Sequence, residues 1–161
     1  MIKDNSKMIN GSAYQILPEF NIIIDYFFGI ISRSDLILHN NDLINDKEFN
    51  PDFSIIVDLR DSKLDFSIKE ILSYIDFTKA TPGMTGKRRT AILTKTPNQV
   101  AITSLYTLKM SGLPPVADIF STPEAAINWL GIPDPDIRLI QETIENIKKS
   151  LFSPQSGGTI I

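Results

Sequence analysis

FSIIVDLRDSKLDFSIKE, residues 53–70, is the stretch whose reading decides the fold. Its first part, Phe53 to Leu59, is almost unbroken in apolar character, the pattern of a strand covered on both faces at the centre of a parallel sheet. An acidic turn follows, carrying Asp61 and Asp65. Ser67 and Glu70 then stand in Ser-x-x-Glu spacing, a capping box in which hydroxyl and carboxylate satisfy backbone N–H groups reciprocally. Ile68, Ile71, Leu72 and Ile75 recur at helical spacing, so the stretch predicts strand, turn and helix. Open α/β sheets gather their ligand and partner sites at such junctions, because strand carboxyl ends and helix N-termini converge there.

On the N-terminal side, Tyr14 to Leu17 and Asn21 to Phe28 are rich in Ile, Tyr and Phe, with Pro18-Glu19 between them, and read as two strands joined by a bend. Gly29 closes the second. Ser32, three residues before Asp35, caps a helix expected from Arg33 to Asp46, and Asn50-Pro51-Asp52 breaks the chain before the central strand. On the C-terminal side, Thr81-Pro82-Gly83 ends the second helix and Thr90 to Thr94 is a short strand. Thr96, Pro97 and Gln99 open a helix that stops at Gly112, Val116 to Phe120 is the last strand, and Thr122-Pro123 starts a short helix stopped by Gly131. Strands separated by helix-length segments imply right-handed parallel crossovers. The expected fold is therefore α/β: a mixed, mostly parallel sheet of about five strands with helices packed against it, plus an extra C-terminal helix.

That last helix begins at Asp134-Pro135. Ile137, Ile140, Ile144, Ile147 and Leu151 alternate spacings of three and four, the seam of a helix packed on another element. Packing on its own domain is the preferred reading over 132–152, and dimerisation or a partner groove is the alternative. Residues 1–12 and 153–161 are expected to be a disordered segment and a flexible tail around a domain spanning 13–131.

Composition narrows the function classes. In 161 residues, 42% are hydrophobic and 22% charged, ordinary for a folded domain, and a formal charge of −3 supplies no electrostatic attraction to nucleic acid or an anionic membrane. Cysteine is absent and histidine occurs once, at His39, which removes thiol chemistry and makes a zinc site implausible. No cofactor is expected. The first residues lack an apolar h-region, and Phe20 to Ile31 is too short to span a bilayer, so a cytoplasmic protein is expected.

From Tyr14 to Gly131 the layout resembles the SpoIIAA-like branch of the STAS-like proteins. The resemblance rests on the initial strand pair, the helix opening near Ser32 and Asp35, the Ile55 to Arg60 strand, and the Phe120 to Glu124 and Ala126 to Gly131 segments. It implies a non-enzymatic regulatory domain that binds a protein partner. In the related anti-sigma factor antagonists a serine opening the helix after this strand is phosphorylated, and Ser67 occupies the equivalent place. The capping box already accounts for Ser67 and Glu70, and the cap is the preferred reading of the serine.

The partner surface expected from these residues is Asp61, Asp65, Ser67 and Lys69. Asp58, Asp61 and Asp65 supply hard oxygen donors, but solvated acids in a polar turn explain them better than a metal does. Thr85-Gly86-Lys87 lacks the first glycine and the hydroxyl residue of a phosphate-binding loop, which leaves Lys87, Arg88 and Arg89 as a weak candidate anion site. His39 lies mid-helix with no nucleophile elbow in the chain and reads as a helix-face residue. The alternative function is a carrier of a small apolar or lipid-like ligand, prompted by Tyr26, Phe27, Phe28, Phe66, Tyr74 and Phe77.

Overall fold

The computed structural model describes residues 7–9 and 11–152. A six-stranded sheet runs in strict chain order: β1 (Lys7–Ile9), β2 (Ser12–Leu17), β3 (Ile22–Ile31), β4 (Ser54–Leu64), β5 (Arg89–Leu93) and β6 (Val116–Phe120). The β1–β2 and β2–β3 pairs are antiparallel and the other pairs parallel. The expected sheet of about five strands is thus extended at one edge by β1. The fold begins before Ala13, and Gly11 makes the hairpin with φ +75°, a conformation that favours glycine. The tail 153–161 lies outside the described residues.

Because the parallel strands follow one another in a single direction, right-handed crossovers put all their helices on one face. These helices are α1 (Arg33–Ile44), α2 (Ile68–Ala80) and α3 (Pro97–Met110). On that face Tyr14, Ile16, Ile23 and Ile55 pack with Leu43 of α1, while Phe27, Ile31, Leu59, Leu64 and Ile92 pack with residues of α1 and α3. The opposite face holds α4 (Pro123–Trp129) and α5 (Asp134–Phe152), whose Ala126, Ile127, Ile140, Ile144 and Ile147 close over Ile22, Ile24, Tyr26, Ile56 and Leu93. The α5 seam is spent on its own sheet, so the apolar stripe that also suited a second copy is buried within the chain. Among the described residues, no helix is long and apolar enough to cross a membrane.

β4 departs from its sequence reading. It continues past Leu59 to Leu64, with Ser62 and Leu64 buried and Asp61 and Lys63 exposed, so the expected acidic turn is mostly strand. The register explains the misreading: Tyr26 opposes Asp58 and Phe28 opposes Asp61, so Phe27 faces two residues, Leu59 and Arg60. Such a bulge inserts one unpaired residue and re-aims the side chains that follow. It interrupts strand alternation at the polar residues, where the apolar pattern of the sequence ends.

Candidate functional site: the carboxyl edge of the central strands

The bulge turns Asp58, Arg60 and Asp61 into one cluster. Asp58 is fully buried, yet its carboxylate is satisfied on both oxygens: Arg60 Nε donates to Oδ1 at 2.9 Å and Nη2 to Oδ2 at 2.8 Å. Lys148, near the end of α5, places Nζ 3.4 Å from Asp58 Oδ2 and 3.4 Å from Asp61 Oδ2. The Tyr26 hydroxyl donates to Asp61 Oδ2 at 2.7 Å, and the Lys148 ammonium stands 5.5 Å from the Tyr26 ring centroid. A buried carboxylate without such partners would be very costly, so the cations are what allow Asp58 inside the sheet.

The titration behaviour follows this geometry. Burial pushes the Asp61 carboxyl up, but the Tyr26 hydroxyl and the Lys148 ammonium outweigh it, and its pKa lies below the ordinary carboxylate value. Burial and the bond to Asp61 raise the Tyr26 phenol. The bond to Asp58 raises the Arg60 guanidinium against its own burial.

A cleft of about 500 Å³ opens beside the cluster, walled by Arg60, Asp61, Thr94, Lys95, Val100, Ser121 and Lys148. Thr94 and Lys95 follow β5 and Ser121 follows β6, so the cleft lies where parallel strands end, as open α/β sheets require. Gln99 ties the loop after β5 to the end of β4: Oε1 accepts from the Lys95 and Thr96 backbone N–H groups, while Nε2 donates to the carbonyls of Leu59 and Ser62 at 2.7 Å each.

The four residues expected to form a partner surface are all exposed. Asp61 is engaged with Tyr26 and with Lys148 of α5, whereas Ser67 and Lys69 belong to α2 on the other face of the sheet, with Asp65 at the strand end between. Ser67 is the cap of α2: its Oγ accepts from the Glu70 N–H at 3.1 Å, and Glu70 Oε2 accepts from the Ser67 N–H at 2.8 Å. That backbone bond holds the Glu70 carboxyl below its ordinary pKa.

The basic triple diverges instead of forming an anion site. Arg88 is buried, donating from Nη1 to Gly83 O at 3.3 Å and from Nη2 to Met84 O at 3.2 Å, and burial lowers its pKa. Arg89 donates to Trp129 O at 2.8 Å and lies 5.4 Å from the Trp129 ring centroid, while the Lys87 backbone N–H donates to Asp52. Gly86 serves close packing: a Cβ there would stand 2.0 Å from the Pro51 carbonyl oxygen.

His39 sits on the inner face of α1, fully buried, with Nδ1 2.8 Å from Ser12 Oγ and Nε2 3.1 Å from Asp25 Oδ1. Ser12 and Asp25 are buried as well, at 1% and 4% exposure, so no substrate reaches this trio. The aromatic set is likewise divided. Tyr26 and Phe28 pack under α5, while Phe66 and Tyr74, with Tyr106, line an apolar cavity of about 110 Å³ between the sheet and α2 and α3.

Arg60, Lys148, Thr94, Lys95 and Ser121 carried no signal local enough to find them from sequence, and Gln99 was legible as part of the Thr96 cap but not as a tie to β4. Their only marks are the Asp58-x-Arg60 spacing and the gathering of Lys148 and Lys149 near the end of an amphipathic helix.

The layers and strand order define a SpoIIAA-like α/β fold. A solved structure of an uncharacterised protein of the DUF3478 family from Shewanella loihica PV-4, described as having a SpoIIAA-like fold, matches with a TM-score of 0.50 and 17% identity, over 81% of this chain and 98% of that one. No family model matches this chain, and no curated protein does.

Proposed function

We propose that the chain is a regulatory protein-interaction module without catalysis of its own, which engages a partner protein through the end of β4 and the first turns of α2. The supporting observation is Ile68 at 70% and Leu72 at 38% exposure, one turn apart on the outer side of a helix whose inner side already buries Ile71 and Ile75. An exposed apolar pair on a core helix, flanked by Asp65 and Lys69, fits a partner with an apolar surface inside a charged rim. Affinity capture from cell lysate tests the surface. Ile68→Glu should abolish partner recovery, and Asp65→Lys and Lys69→Glu should reduce it, with thermal unfolding unchanged for all three. Equal recovery from the wild type and every variant would sink the proposed surface.

A second reading is favoured by the 110 Å³ cavity lined by Phe66, Tyr74, Ile102 and Tyr106: a carrier of a small apolar molecule. An apolar space of this order admits a molecule about the size of benzene, so the occupant is a compact ring or short chain and not a lipid. Native mass spectrometry of the purified protein should then show a co-purified small molecule, and toluene should raise the unfolding temperature. Neither effect would be seen if the cavity were only a packing defect.

A further inference from the structure

We propose that the cleft at the carboxyl edge of β4, β5 and β6 binds a small phosphate monoester with a polar body. This rests on different residues from the partner surface and stands independently of it.

Among the described residues the cleft wall carries the cations Arg60, Lys95 and Lys148 and one acid, Asp61. Beneath the wall, Asp58 takes Arg60 Nε and Nη2, leaving Nη1 without a partner among the described residues. Lys148 is shared between Asp58 and Asp61, and Glu145 adds a negative influence on Arg60 from α5. Lys95 is exposed, and no acid pairs with its ammonium among the described residues. Asp58, Asp61 and Glu145 balance the three cations in number, so what the cleft keeps free is local: the Lys95 ammonium and the Arg60 Nη1 N–H, which no acid among the described residues takes.

Hydroxyls complete the donor set. Thr94 and Ser121, each just past the end of its strand, line the same space as the cations. A phosphate monoester carries close to two negative charges and three acceptor oxygens, which matches an ammonium, a guanidinium N–H and two hydroxyls better than a carboxylate with two oxygens does. A volume of about 500 Å³ exceeds what the phosphate alone fills, so the ligand has a body beyond it. Among the described residues Val100 is the one apolar side chain of the wall and the others end in polar groups, which suits a hydroxylated body.

The placement is also preorganised. Gln99 fixes the backbone at Lys95 and Thr96 to the bulged end of β4 through four hydrogen bonds, so the loop bearing Lys95 and the strand bearing Arg60 are held together before any ligand arrives.

Amide NMR titration of the full chain tests the site, using ribose 5-phosphate, inorganic phosphate and ribose as probes. Ribose 5-phosphate should shift the amides of Thr94, Lys95 and Ser121, bind more tightly than inorganic phosphate, and weaken as salt is added. Ribose should shift none of them. Lys95→Gln should weaken ribose 5-phosphate about tenfold, the loss of roughly one charge-assisted hydrogen bond. Lys148 also holds Asp58 and Asp61, so the exposed Lys95 carries the test and its unfolding curve should match that of the wild type. Asp61→Asn, which removes the one acid of the wall among the described residues, should strengthen binding. Absence of cleft shifts with either phosphate compound would overturn the proposal. So would unchanged affinity in Lys95→Gln, equal binding of inorganic phosphate and ribose 5-phosphate, or equal binding of ribose.

Discussion

Asp58 is the residue on which the carboxyl edge turns. A carboxylate at 0% exposure in a central strand is tolerated because Arg60 reaches back two residues with a two-pronged bond and Lys148 reaches across from α5. Asp61, one residue past Arg60, shares the same lysine and takes the Tyr26 hydroxyl. Its folded pKa is depressed, so its contribution to stability is fully present above the unfolded carboxylate value of about 4 and is lost as pH falls through the lower folded value. In Tyr26→Phe the Asp61 midpoint should move up toward the ordinary value, read from its carboxyl carbon by NMR, and acid unfolding should begin at higher pH. An unchanged midpoint would show that the hydroxyl bond does not hold the carboxylate.

At the scale of elements, α5 does two things at once. Its apolar seam roofs one face of the sheet through Ile140, Ile144 and Ile147, and its later turns deliver Lys148 to the acid cluster. Ile144→Ala should therefore destabilise the protein by about 2–4 kcal/mol in urea unfolding, the cost of a buried large-to-small change with its cavity. Lys149→Ala, on the exposed side of the same helix, should stay within about 0.5 kcal/mol. A loss below about 1 kcal/mol at Ile144 would mean that the seam does not pack on the sheet as described. α2 has the opposite character: its caps and inner face follow local rules, while Ile68 and Leu72 stay exposed on its outer side. Local rules worked well for these helices. Capping boxes at Ser32/Asp35, Ser67/Glu70 and Thr96/Gln99 are all formed, because each needs only four consecutive residues to specify it. α1 was read two residues too long at its C-terminus, where the chain carries Asn45 and Asp46 in place of a clear stop.

For the molecule as a whole, the strand order follows from chain order, and with right-handed crossovers it separates two helix layers. That separation is what sequence proximity conceals. Tyr26, Phe27 and Phe28 are consecutive, yet Phe27 faces one layer while Tyr26 and Phe28 face the other. Asp61 and Ser67 lie six positions apart, yet one is tied to α5 and the other caps α2 in the opposite layer. His39 was legible as helical but not as buried, because its partners Ser12 and Asp25 come from neighbouring strands. The sequence by itself determined the helices with their caps and the strand–helix alternation from β2 onward, and hence the SpoIIAA-like fold, since these depend on apolar period and on hydrogen bonds between residues three or four apart. Only the tertiary structure decided that β4 bulges at Leu59 and Arg60, that the basic triple diverges, and that a cationic cleft opens at the strand ends. Those outcomes depend on which side chains meet across the sheet and from α5, contacts between residues far apart in the chain that no local pattern encodes.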